Sequence, residues 1–202
     1  MVIFVDTIVS VFDYGIMRKY IQILLLVLLC GCDIFSVRDA EQPNTPPLWN
    51  NFYTTWRLAL KNLEYGYEDE RNVVKYSDLF MSNFRFYFSP QDINDYNISG
   101  AWNRDNERDM LYSLNNWADS VRVVLETIPS QVDDTLSIPI RIYRKYTVIA
   151  KRNLETRTFA GKMELQMVQD NGFWRILNWY DYRIVSSPIL PSWGKLKYDF
   201  SA

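Results

Sequence analysis

The hydrophobic pattern of this chain changes near residue 118 from mainly helical spacing to period two, and that change restricts the folds it can adopt. Before it, apolar residues recur every three or four positions, as on one face of a helix. After it, they alternate with polar residues over long stretches, as in half-buried strands. Helices followed by a run of strands predict an α+β domain, with N-terminal helices packed on a curved antiparallel sheet.

Three segments in the first part have helical spacing. They are 48–65, 70–81 and 102–116. Asn103 or Asp105 is the predicted N-cap of the third segment, because short polar side chains accept hydrogen bonds from the free N–H groups of a first turn. Between the second and third segments, 84–88 alternates ring and charge and predicts a short strand.

Four segments in the second part alternate with period two and predict a meander of long strands. They are 120–128, 138–152, 156–169 and 173–185. Asn171-Gly172 stands between the last two and favours a tight hairpin. Beyond the strands, Trp193 and Phe200 are predicted to pack back on the domain; an exposed partner-binding patch is the alternative.

The beginning of the chain has the pattern of a secretion signal over residues 17–31. Arg18-Lys19 is followed by a short apolar run, too short for a permanent membrane span, that ends in Leu29-Cys30-Gly31-Cys32. This junction resembles the lipobox of bacterial lipoproteins. The resemblance implies that Cys32 carries a diacylglycerol thioether and an N-linked acyl chain such as palmitate, and that it becomes the first residue of the mature protein.

The rest of the organisation follows from this signal. Residues 1–16 precede the basic pair and contain two aspartates, so we interpret them as an overextension of the start site. Residues 32–47 are polar and proline-rich and predict a flexible tether, and 48–202 is predicted to be a single α+β domain. The expected location is the bacterial cell envelope, anchored by lipid, with inner and outer membrane both left open.

Composition excludes several kinds of site. The chain has no histidine, and its two cysteines, Cys30 and Cys32, both lie at the signal junction. The mature domain therefore has no histidine base and no cysteine–histidine zinc site. Carboxylate-only sites for calcium or magnesium stay open by composition, but no spacing matches one, and we predict no metal and no cofactor. A net charge of −2 argues against nucleic-acid binding, which needs a basic surface.

The order of elements resembles the nuclear transport factor 2-like superfamily, a cystatin-like cone of helices and sheet. The motif YSDLF at 76–80 leading into NFRFYF at 83–88 is similar to the second helix and first strand of that family. Trp174-Arg175-Ile176 is similar to its last hairpin, so the resemblance covers 48–185. A lipocalin-like barrel, or another fold of helices and sheet, is the alternative.

The family has catalytic branches, but the resemblance does not extend to their motifs. Its ketosteroid-isomerase-like and polyketide-cyclase-like members use an aspartate with tyrosine or histidine inside the cone. The weak catalytic candidate here is Asp181, because flanking aromatic residues can desolvate a carboxylate and raise its pKa. The alternative is an aspartate that faces solvent or pairs with Arg175 or Arg183.

Two functional hypotheses follow. The first is a non-catalytic, membrane-anchored envelope lipoprotein, bound to membrane lipid through Cys32, whose cavity holds a small apolar ligand or an envelope protein. The second is an isomerase- or cyclase-like enzyme using aspartate and tyrosine chemistry in the cone. The candidates for lining the cavity are Tyr143, Tyr146, Tyr180 and Tyr182, although such tyrosines are more often strand residues with a solvated hydroxyl.

Overall fold

The computed structural model describes residues 49–68, 72–98, 102–184 and 188–201. All of them belong to one compact unit that spans 46–202. The predicted start-site overextension, signal peptide, tether and lipid-bearing Cys32 lie outside the described residues. Within these ranges, no helix is both long and apolar enough to cross a bilayer.

Five helices and five strands are formed by the described residues. The helices are α1 (Trp56–Glu68), α2 (Val73–Ser77), α3 (Pro90–Tyr96), α4 (Arg104–Trp117) and α5 (Trp193–Asp199). The strands are β1 (Phe80–Tyr87), β2 (Ser120–Thr127), β3 (Ile140–Arg152), β4 (Glu155–Asp170) and β5 (Phe173–Arg183).

The predicted fold class is confirmed, because the helices pack against a curved five-stranded sheet. The strand order is β1-β5-β4-β3-β2, and the four strands of the meander are antiparallel as predicted. The sheet differs from the prediction at one edge, where β1 runs parallel to β5 and pairs Phe86 with Trp179. Period two shows which face of a strand is buried but carries no information about the direction of a distant partner.

The inner face of the sheet and the apolar faces of the helices form the core. Alternate residues of β4 are buried as predicted: Phe159, Gly161, Met163, Leu165 and Met167. Since the side chains of a strand alternate between two faces, the intervening residues lie on the other side of the sheet, away from the helices.

Three helices in the first half differ from the sequence prediction. The first, predicted over 48–65, is formed by Trp56–Glu68, because Thr55 accepts a hydrogen bond from the Leu58 N–H and marks the start of the helix. The second predicted helix is shorter, because Asn72 caps α2 and Phe80 already belongs to β1. Helix α3 was not predicted; in it Ser89 accepts a hydrogen bond from the Asp92 N–H, and Pro90 occupies the first turn. The predicted cap of α4 is confirmed at Asn103.

Candidate functional site

The helix α5 packs one face into the cone, between the helices and the sheet, and leaves its other face exposed. Trp193 is fully buried, and its ring centroid lies 5.3 Å from that of Tyr67 on α1, 4.9 Å from Tyr146 on β3 and 4.6 Å from Trp179 on β5. Its indole N–H also donates to the Tyr67 hydroxyl at 3.0 Å. The predicted packing of Trp193 and Phe200 on the domain is confirmed, and the side chain of Trp193 occupies the centre of the cone.

A buried ion pair joins α5 to α4. The ammonium of Lys197 donates to Glu107, and both side chains are completely buried. The Glu107 carboxylate also accepts from the Tyr76 hydroxyl at 2.6 Å and from the Trp102 indole at 2.7 Å. Burial lowers the pKa of the Lys197 ammonium. The ammonium also lies 4.3 Å from the centre of the Trp179 ring, in a cation–π contact. These contacts compensate for the loss of water around both charges.

Asp181 and Tyr146 form a second buried polar pair. The Tyr146 hydroxyl donates to Asp181 at 2.6 Å, and the Gly194 N–H donates to the other carboxylate oxygen at 2.7 Å. Burial raises the pKa of Asp181 to about 6, although both hydrogen bonds oppose the shift. The ring of Tyr146 needs the bare backbone of Gly161, because a Cβ there would lie 2.2 Å from the hydroxyl oxygen. The Tyr146 hydroxyl oxygen itself accepts from the Trp193 N–H at 2.7 Å.

A third carboxylate, Asp92, is buried beside this pair. It accepts from Arg183 at 2.5 Å, from the Ser89 hydroxyl at 2.7 Å and from the Ser192 hydroxyl at 2.5 Å. Arg183 also binds Asp95 at 2.5 Å, on the same helix α3. The connection before α5 is thus held to α3 and β5 by one carboxylate.

The position of Asp181 matches neither of the non-catalytic alternatives, which were exposure to solvent and pairing with an arginine of its own strand. It is buried, so it does not face solvent. Neither arginine of its strand pairs with it, because Arg183 binds Asp92 and Arg175 lies 3.2 Å from Asp170. The expected desolvation and raised pKa of Asp181 are present. A catalytic role remains a prediction.

The four candidate tyrosines lie on two faces of the sheet. Only Tyr146 points into the core, where burial raises the pKa of its hydroxyl well above the ordinary value. The other three alternate with buried residues along their strands, so they lie on the outer face of the sheet: Tyr143, Tyr180 and Tyr182. Tyr180 stacks there on Tyr87 with ring centroids 4.4 Å apart. Because successive side chains of a strand point to opposite faces, Tyr143 and Tyr146, which are three residues apart on β3, lie on opposite faces of the sheet.

Several site residues were missed by sequence reasoning. Glu107, Asp92 and Lys197 are charged residues in short or strongly polar helices, where exposure is the ordinary expectation. No spacing in the sequence distinguishes them from surface charges. Among the described residues, no group of acidic side chains is arranged to hold a metal ion.

The site can exchange protons, but its polar groups bind parts of the same chain. A carboxylate titrating near pH 6 beside a tyrosine hydroxyl has the chemistry of a general acid–base pair. Here the backbone N–H groups of Trp193 and Gly194 occupy the hydrogen-bonding positions at Tyr146 and Asp181. A substrate would have to displace α5 to reach them.

A shallow groove lies between the first turns of α1 and the strands β2 and β3. It has a volume of about 250 Å³ and is open to solvent. Its lining combines Trp56, Leu60 and Leu125 with the cations Arg57 and Arg144. Arg57 lies 4.3 Å above the Trp56 ring, so the groove presents an aromatic surface with a cation attached to it.

Solved structures with a similar fold are cone-shaped nuclear transport factor 2-like proteins. One is a protein assigned as a scytalone dehydratase from Novosphingobium aromaticivorans, with 13% identity, a TM-score of 0.51 and coverage of 67% of this chain and 89% of that one. Another is the beta subunit of benzoate 1,2-dioxygenase from Burkholderia mallei, with 11% identity, a TM-score of 0.48 and coverage of 62% and 85%. No protein-family model and no curated protein matches the sequence. At these identities the likeness shows the fold alone.

Replacing Asp181 by Asn should remove a component of the pH dependence of stability. The pKa of Asp181 rises from 3.8 to about 6 on folding, so the folded state binds the proton more tightly. Its stabilising contribution is complete below about pH 4 and is lost as the pH rises through 6. We expect the unfolding free energy of the natural chain, relative to Asp181→Asn, to fall by about 2.5 kcal/mol between pH 4 and 7. Urea denaturation at several pH values measures this difference.

Parallel curves of unfolding free energy against pH for the natural chain and Asp181→Asn would contradict the prediction. Asp95→Asn is the control for the loss of one negative charge.

Replacing Lys197 by Met should be strongly destabilising, because it leaves the buried Glu107 without its counter-charge. We expect a loss of about 3–5 kcal/mol in unfolding free energy by denaturant titration. The matched control is Lys195→Met on the same helix, which removes a partly exposed pair with Asp199 and should cost less than about 1 kcal/mol. In the double variant Glu107→Gln/Lys197→Met, part of the loss should be recovered. Equal effects at Lys195 and Lys197 would be evidence against the buried pair.

Proposed function

We propose that this protein is a membrane-anchored envelope lipoprotein whose folded domain binds a partner protein and has no catalytic activity. The anchoring part of the proposal is supported by the sequence at Leu29-Cys30-Gly31-Cys32 and by the basic and apolar segments that precede it. The absence of histidine from the chain supports the non-catalytic part, since histidine is the commonest general base.

The observation that carries the non-catalytic part is the position of α5. In the described part of the chain, the centre of the cone is filled by Trp193 and the buried stem of Lys197. An enzyme or a carrier of small molecules needs that space for a ligand, and ligand pockets usually enclose about 300–1,000 Å³. Here the Tyr146 hydroxyl, the Asp181 carboxylate and the Lys197 ammonium are paired with groups of the chain itself.

Partner binding is then expected on the surface. The groove beside α1 has the composition of a protein contact, because tryptophan and arginine are enriched at interfaces and at their hot spots. At about 250 Å³ and open to solvent, it is too small and shallow to enclose a drug-sized ligand. We therefore favour an envelope protein over a small apolar ligand as the bound partner.

One observation favours the second candidate, an isomerase- or cyclase-like enzyme. Asp181 and Tyr146 form a buried carboxylate–hydroxyl pair, and the carboxyl group has a raised pKa. Enzymes of this kind would require α5 to leave the cone, which breaks the contacts of Trp193, Gly194 and Lys197 together. The free energy needed for that step makes this the weaker proposal.

The anchoring proposal predicts opposite results for the two cysteines of the signal junction. Cys32→Ser should abolish acylation and release the protein from the membrane fraction, because a serine cannot form the thioether. Cys30→Ser is the matched control and should leave the protein in the membrane, since it keeps a small residue at that position. Labelling with a radioactive fatty acid and fractionation measure both effects. Membrane retention of Cys32→Ser without label would contradict the proposal.

The filled cone predicts a specific response to indole. Trp193→Ala should open a cavity lined by rings and by the Tyr67 hydroxyl, and added indole should fill it and raise the Tm of the variant. The Tm of the natural chain should not change, because its own indole occupies the position. A comparable rise in the natural chain would reveal an open interior site and would favour the enzyme or the small-ligand hypothesis.

A further inference from the structure

The connection between β2 and β3 exposes three large apolar side chains within seven residues. Val132, Leu136 and Ile138 are 86%, 95% and 92% exposed. Single exposed apolar residues are ordinary on protein surfaces, whereas a cluster on one loop points to a contact with another apolar surface. We call residues 128–139 the apolar loop.

The apolar loop has a defined conformation. The backbone N–H and C=O of Asp134 pair with those of Arg141 at 2.9 and 2.8 Å. The Asp134 carboxylate accepts from the N–H groups of Leu136 and Ser137, both at 3.1 Å. Its own backbone and side-chain bonds therefore hold the loop with Leu136 directed to solvent.

The other acidic residue of the loop is directed toward the domain. Asp133 accepts from Arg144 at 2.8 and 3.0 Å in a bidentate ion pair, and from the Tyr143 N–H at 2.9 Å. Arg144 is buried. The negative charge of Asp133 is thus matched by a fixed cation, which lowers the cost of bringing the loop close to an apolar phase.

The apolar loop lies at the end of the sheet where the domain begins. The Trp174 N–H donates to the Tyr53 carbonyl at 3.1 Å, which places the start of the domain beside the β4–β5 hairpin. The pairing of Ile140 with Met167 places the beginning of β3 at the same end. Two strand spacings, about 10 Å, separate β5 from β3. Phe52, next to Tyr53, is also exposed at this end.

We propose that the apolar loop inserts into the surface of the lipid bilayer that holds Cys32. The inference rests on the proposed anchoring. Sixteen residues, 33–48, separate Cys32 from Trp49, and such a segment spans at most about 55 Å, so the tether keeps the domain close enough for the loop to reach the bilayer. Side chains of this size enter the boundary between headgroups and acyl chains to a depth of about 5–10 Å. The lipid tether and the loop then fix the domain at two points, and the end of the sheet faces the membrane.

The β3–β4 turn provides a control at the other end of the molecule. Leu154 in that turn is fully exposed, like Leu136. The 13 residues of β3 lie between the two ends, which corresponds to about 40 Å. Insertion of the apolar loop therefore keeps Leu154 in water.

The test uses the full chain, expressed, processed and reconstituted in vesicles of phosphatidylethanolamine and phosphatidylglycerol. Leu136→Cys and Leu154→Cys are each labelled with an environment-sensitive thiol dye, and nitroxide groups on the acyl chains act as quenchers. Neither side chain contributes to the core, so both variants should fold. The unaltered protein is treated with the same dye to test whether Cys32 has a free thiol.

The proposal expects a blue-shifted emission at position 136 that is quenched by the nitroxide lipids, an unshifted and unquenched emission at position 154, and no label on the unaltered protein. Equal emission at the two positions, with Cys32 still unreactive, would overturn the loop insertion and leave the anchoring proposal intact. Labelling of Cys32 would overturn the anchoring proposal, and the loop insertion with it.

Discussion

The structure depends on the insertion of α5 between the helices and the sheet. Trp193 brings rings from α1, β3 and β5 into contact, and Lys197 carries a charge into the core to meet Glu107. A buried charge is stable only when a partner and hydrogen bonds replace its water. Glu107 has these through Tyr76, Trp102 and Lys197, so the helices α2, α4 and α5 share one polar network.

Because α5 fills the interior, the fold alone does not indicate that this chain carries out chemistry inside the cone. A cone of helices and curved sheet is a scaffold that does not determine function, so the function has to be argued from its interior and surface. In this chain, the aspartate and tyrosine of the interior bind backbone groups of residues 193 and 194. The accessible surface of the described residues includes the groove beside α1, the outer face of the sheet and the loops at its two ends.

The parts of the fold that could be predicted are those set by local periodicity. The alternation of β4, the cap at Asn103 and the helices-then-strands order follow directly from the sequence. The parallel pairing of β1 with β5 could not be predicted, because it joins segments separated by most of the domain. In the site, flanking rings indicated Asp181, whereas Glu107 and Lys197 gave no signal because their burial depends on each other. Tyr143 was included with Tyr146 although a spacing of three places them on opposite faces.

The place of α5 in the sequence has a consequence for the order of folding. Because chains emerge from the N-terminus, α1 to β5 are synthesised before residues 193–197, which fill the space between them. Until those residues arrive, Glu107 has no counter-charge and the rings around Trp193 enclose a gap. The incomplete domain is therefore poorly stabilised during synthesis, and its cooperative folding waits for the last helix.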